Sequence, residues 1–248
     1  MVAIFKREFK AYFSTPLGYV FLTAFYFFLG FYFTTMYSNG SPYIEDIISA
    51  MSTVAVFAMP VLTMRLMSEE RRQKIDQVLI TAPVRLTSIV MGKFLAAFAV
   101  YAIGFAPTVI FEMIFASKVS VNILSYIYTL FGIFLLGAVL IALGMFISSL
   151  TESAVVSAIL SLVINILVLY MSNFASMITV PESDTLFGKV WQFIVQSFVT
   201  LLEKLSFITA FETFSQSIFS VSDVVYFISL VVVFIFLSVR SLEKRRWS

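Results

Sequence analysis

The chemistry of this chain is concentrated in its charged residues, and the densest group of them is SEERRQKIDQVLITA at 68–82. Read as a helix, it puts Ile75, Val78, Leu79 and Ala82 on one face at i, i+3, i+4, i+7. Glu69, Glu70, Arg71, Arg72, Lys74, Asp76 and Gln77 are left facing outward. Glu70 and Lys74 stand at i, i+4 in the favourable order. On a soluble helix this would be an ordinary solvated face. Seven polar groups over an apolar underside are better suited to docking a partner protein by charge-assisted hydrogen bonds.

The residue types exclude much else. With no Cys and no His, there are no disulfides, no thiolate or imidazole metal sites and no His-based triads. A nucleophilic hydrolase would be reduced to a Ser–Lys dyad, which needs a lysine inside a span, and none is expected there. A phosphate cradle needs G-x-x-x-x-G-K-[ST]. Gly92-Lys93 is followed by Phe94 and Gly188-Lys189 by Val190, so the chain carries no nucleotide site of that kind. If ATP drives it, another chain hydrolyses the ATP.

Three further groups stand out. Ser157, Ser161 and Asn165, with Ala154 and Ala158, form a small and polar stripe at helical spacing. Such a stripe permits close packing between membrane helices. It also suits a translocation path or a two-fold seam, together with Pro60, which predicts a kink in its own helix. Glu112 is the one acid inside an apolar run, close to its outer end. It is expected at the outer headgroups, with a substrate or ion role as the other reading. Gly132, Gly137, Ala138, Ala142 and Gly144 make another run rich in small residues, which predicts packing.

The elements that must position these groups are membrane spans. Of the 248 residues 60% are hydrophobic and 12% are charged, about half the roughly 25% of soluble domains. Apolar runs of about 20 residues predict six spans, at about 17–37, 47–66, 89–116, 124–147, 154–178 and 224–239. The first is too long for a signal-peptide core, so it is expected to be retained. Thirteen of the 16 Lys and Arg fall in the N-terminus, the segment after the second span with its flanks, and the C-terminus. Lys118, Lys189 and Lys204 are left for the other side, so both termini and the connectors at 67–88 and 148–153 are expected in the cytoplasm.

Two regions are predicted to lie along the membrane. Val2, Phe5, Phe9, Tyr12 and Phe13 share a face of a helix within residues 1–16, with Lys6 and Lys10 elsewhere. Thr15-Pro16 suits a cap and first turn of span one. The outer connector at 179–223 holds an apolar stretch at 190–202, too short to cross, with Trp191 as its anchor. Phe207, Phe211, Phe214 and Ile218 follow as a second interfacial helix. The expected fold is an all-α membrane protein of one domain, with an N-terminal interfacial helix, a cytoplasmic helix at 68–82 and an outer lid.

The text RLMSEERRQKIDQVLITAPVRLTSIVMGKFLA at 65–96 resembles the signature segment of ABC-2-type permeases. FISSLTES at 146–153 is similar to that family's turn between spans four and five. LSFITAFETF at 205–214 and DVVYF at 223–227 resemble the end of gliding-motility-associated permeases. Gln73-Lys74 precede Asp76 where the family often has Gly-Thr. The resemblance implies an ATP-binding-cassette transporter subunit, an exporter of the bacterial plasma membrane, working as a homodimer or pseudo-dimer. The 68–82 helix would be the coupling helix that engages two cytoplasmic ATPase subunits, and Ser149, Thr151 and Glu152 would form the second cytoplasmic turn. ATP and Mg would belong to the ATPase, with no cofactor in this chain. The gliding-type likeness adds an auxiliary subunit; lipid is the other partner, and nucleic acid is not expected. A secondary transporter or a non-transporting scaffold is the alternative.

Overall fold

The computed structural model describes residues 1–40, 43–72, 85–117, 122–178, 192–193, 195–197, 199–200, 206–216 and 218–246. Among them the secondary structure is helical, without strands. Among the described residues five helical spans are long and apolar enough to cross a membrane, or six when a bent pair is counted as one.

Helix α1 (Val2–Ser14) precedes α2 (Pro16–Ser38), the first span. Phe5, Phe9 and Phe13 stack in series along α1, with centroids 5.7 and 5.1 Å apart, and Tyr12 is buried. Its Oη donates to the Leu62 carbonyl at 2.9 Å. The predicted aromatic face is therefore used, but against protein. Thr15 does occupy the cap of α2, yet its hydroxyl donates back to Ala11 in α1. Gly40 closes the following turn at φ +71, a conformation open to glycine without strain.

The second span is α3 (Ile44–Thr63), which continues through a turn into α4 (Ser68–Arg72). The third, predicted as one helix, is two: α5 (Leu86–Gly104) and α6 (Ala106–Ala116). Pro107 explains the break. It has no N–H and its ring crowds the carbonyl four residues back, that of Ile103. The Tyr26 hydroxyl donates to that carbonyl at 3.0 Å, replacing the lost helical bond.

Helix α7 (Ile123–Leu150), the fourth span, is the axle of the fold, with 67% of its apolar window buried. It contacts α3, α5, α8, α10 and α11. Its glycines admit neighbours that a methyl group would exclude. Tyr101 lies on Gly137 and Thr63 on Gly144, and Tyr101 donates to the Ile133 carbonyl at 2.9 Å. The expected packing role of this small-residue run is what the structure displays.

The fifth span, predicted as continuous, is α8 (Ala154–Leu169) followed by α9 (Met171–Met177) at a 50° bend. Sixteen residues reach only about 24 Å at about 1.5 Å each, short of the roughly 30 Å core. Neither Gly nor Pro stands at the bend, and the polar residues Ser172, Asn173 and Ser176 follow it.

Helix α10 (Phe207–Ser215) forms where the second outer helix was expected. Phe207, Phe211 and Phe214 are buried, Phe214 against Gly132 of α7, whereas Ile218 lies beyond its end and is exposed. The aromatic stripe thus packs into the bundle. The expected apolar helix at 190–202 and its Trp191 anchor lie largely outside the described residues. Helix α11 (Val221–Arg246) is the last span and the most peripheral, with 11% of its window buried.

Candidate functional site

Four charged side chains from three helices converge below the bundle. Lys93 of α5 is 1% exposed, and its Nζ lies 3.2 Å from Glu8 Oε1 and 2.9 Å from Glu70 Oε1. Arg7 Nη2 closes the group at 2.6 Å from Glu8 and 3.0 Å from Glu70. Two cations and two carboxylates leave no net charge, which is what a buried lysine requires. Partial burial works against the Arg7 charge, and its hydrogen bonds and attraction to Glu8 and Glu70 outweigh this, holding the guanidinium above its ordinary value. Burial, aided by Glu8, pushes the nearby Tyr12 hydroxyl up, so it stays a donor. Gly92 makes the arrangement possible, because Ile4 of α1 sits where a Cβ would project.

This corrects two expectations. Glu70 does not face outward with the other charges of its helix, because Lys93 and Arg7 draw it inward. A lysine does lie inside a span-forming helix, eight positions along α5. The signal was legible: a lysine in an apolar run needs carboxylates at its own level, and Glu8 and Glu70 flank that end of the spans.

The remaining members of the predicted docking group separate. Glu69 Oε2 is 3.8 Å from Arg65 Nε. Arg72 is exposed. Arg71 binds Glu152 at 2.8 Å and donates to the Leu150 carbonyl at 2.8 Å. Lys74, Asp76 and Gln77 lie outside the described residues.

Arg71 therefore joins two connectors far apart in sequence, and Ser148 joins them again. Its Oγ accepts from the backbone N–H of Met67 and of Ser68, each at 3.1 Å, and donates to the Met64 carbonyl at 3.0 Å. Ser148 was not singled out in the sequence, whereas its neighbours were. Ser149 donates to Phe146, its carbonyl accepts from Ser241 of α11, and Thr151 donates to Ile147. The predicted second turn is thus fastened to both the first connector and the last helix.

The stripe on α8 is an internal face. Ser157 and Ser161 are fully buried and Asn165 is 1% exposed, in a helix that packs on α3 and α7 of the same chain. Buried within their own chain, these side chains have no exposed surface to offer a second copy. Asn165 Nδ2 donates to the Val56 carbonyl at 3.3 Å. That carbonyl is four residues before Pro60, the one a proline leaves without its helical donor. Pro60 and Asn165 are two halves of one repair.

Glu112 differs again. It is 8% exposed and both carboxylate oxygens are buried without a hydrogen-bond partner among the described residues. Its side chain is turned into the chain rather than out to the surface. Thr108, one turn back, bonds the Tyr126 hydroxyl at 3.1 Å. No cluster of three or more acidic, His or Cys ligands occurs among the described residues.

Several apolar spans around an ion-paired polar end define a multi-pass membrane protein. Residues 3–247 match the family described as ABC-2 family transporter protein, and the chain belongs to that family. It is thus a membrane subunit of an ABC transporter, as the sequence resemblance implied; the match does not reach the gliding-motility subfamily. No curated protein matches the chain.

Proposed function

We propose that this chain is the permease of an ATP-driven exporter and that a separate ABC ATPase docks on the surface built from 64–72, the following 73–82 segment and the 148–153 turn. One observation carries the reading: Ser148 and the Arg71–Glu152 pair bind the two connectors to each other. A push on either connector is then felt by both, and by α11 through Ser241. The Lys93 group adds α1 to the same unit, since Glu70 precedes the coupling segment and Lys93 follows it. The charge distribution supports a cytoplasmic position for this layer and for both termini, in a bacterial plasma membrane. ATP and Mg are assigned to the ATPase, two copies of which serve two permease copies that meet through a face other than the α8 stripe. An auxiliary subunit of gliding type belongs to the finer part of the reading.

The test separates docking from folding. Reversing Glu69 and Asp76 to Lys while leaving Glu70 in place should cost most of the co-purifying ATPase at matched permease expression. Unchanged ATPase yield and turnover would reduce the surface to a solvated connector and end the docking assignment. A secondary transporter has one observation in its favour, the unpaired Glu112. Transport that persists with a hydrolysis-dead ATPase and fails in Glu112→Gln would select it.

A further inference from the structure

Between α11, the end of α7 and α4 lies an open cleft of about 480 Å³, lined by Arg71, Phe146, Leu150, Leu237, Arg240 and Lys244. Its size falls in the roughly 300–1,000 Å³ range of small-molecule sites. The lining is graded along the helix axes. Lys244 and Arg240 occupy successive turns of α11, and Leu237 the turn after them toward the bundle; Phe146 stands one turn inside Leu150 in the same sense. Cations therefore rim one end and apolar side chains back the other.

The cations are held in different ways. Arg71 is fixed by Glu152 and the Leu150 carbonyl, Arg240 by Glu243 at 2.7 Å and by the Phe236 ring 5.1 Å below it. Lys244 is exposed and has no ion-pair partner among the described residues. Glu152 and Glu243 do not line the cleft, but they neutralise Arg71 and Arg240, so the net positive charge of the rim is that of Lys244.

We infer that this cleft binds one anionic phospholipid, its phosphate on Lys244, Arg240 and Arg71 and the start of an acyl chain along Leu237 and Phe146. The charge of the rim selects an anion, and the apolar turn behind it selects an amphiphile over a soluble anion or an acidic peptide, which would leave that turn uncovered. A lipid in this position touches α4, α7 and α11 at once, the three elements that Arg71 and Ser241 already tie together, and it would tighten that junction. Its assignment to the cytoplasmic leaflet rests on the orientation proposed above; the binding itself does not.

The experiment is native mass spectrometry of the detergent-purified chain with phosphatidylglycerol and phosphatidylcholine of matched acyl chains. One phosphatidylglycerol should bind about tenfold more tightly than phosphatidylcholine, from the rim charge. Arg240→Gln with Lys244→Gln should abolish that preference, and Lys244→Arg should keep it. Leu237→Trp, which fills the apolar end without changing charge, should weaken both lipids. Equal binding of the two lipids, or a preference that survives the double substitution, overturns the inference. So does displacement of phosphatidylglycerol by excess inorganic phosphate, which would mark an anion site without a chain. If the double substitution lowers ATPase co-purification and leaves lipid binding intact, the cleft is a protein dock and the inference is wrong. Because the lipid measurement needs neither ATPase nor a defined orientation, it stands or falls independently of the function proposed above.

Discussion

Lys93 and Glu112 are both buried ionisable groups on the third span, and they are treated in opposite ways. Lys93 has two carboxylates within 3.2 Å, and an arginine that bridges both. Glu112 has no hydrogen-bond partner for either oxygen among the described residues. A buried charge with a complete set of partners holds segments together, because removing any member strands the rest. A buried acid without partners contributes nothing of that kind, and intramembrane acids are functional candidates by default. The difference locates structural cohesion at the Lys93 end of the span and leaves Glu112 free of it.

The largest effect should come from breaking the paired site. Lys93→Met leaves Glu8 and Glu70 facing each other with only Arg7, and losing one member of such a group costs about 3–5 kcal/mol. Folded yield in detergent should collapse, and adding Glu70→Gln to Lys93→Met should restore part of it. Full stability of the single variant would mean that water, not protein, surrounds the lysine.

Next is the repair at Pro60. Asn165→Leu removes the donor to the Val56 carbonyl and should cost about 1–2 kcal/mol. In a Pro60→Ala background, where residue 60 regains its own N–H, the same change should cost less. A thermal-unfolding double-mutant cycle with no coupling would show the two residues to be independent.

Smaller still is Glu152→Gln. Its exposed pair with Arg71 is worth ~0.2–1 kcal/mol, so stability should barely move while ATPase association is read separately. Smallest of all is Glu112→Gln, which keeps the shape and breaks no bond. Its effect on unfolding should stay within about 0.5 kcal/mol. A loss comparable to that of Lys93→Met would erase the contrast between the two sites, whereas lost transport at unchanged stability would sharpen it.

Much of this fold was legible because lipid imposes a length. The helices of the first, second, fourth and sixth spans begin or end within a few residues of the apolar runs, the last extending furthest, to Arg246. The aromatic face of α1 and the packing glycines of α7 also followed from spacing. What spacing does not give is the partner. Pro107 lies in an apolar run as Pro60 does, yet one splits its helix and the other does not. In both cases a neighbour reaches the freed carbonyl, Tyr26 in one and Asn165 in the other, and spacing names neither. Likewise Ser148 looks no different from Ser149 until α4 is folded beside it. Burial of Ser157 and Ser161 in their own chain was invisible for the same reason: a small-residue face does not say which helix will cover it.

The bond between Asn165 and Val56 has a mechanical meaning. It joins α8 to α3 at one register, deep in the apolar layer where neither group has water to turn to. Sliding one helix along the other by a single residue, about 1.5 Å, would pull the amide from its acceptor. Swinging the helices about that point would keep it. Any relative motion of these two helices that keeps the bond is therefore a rotation about Asn165 and not a slide.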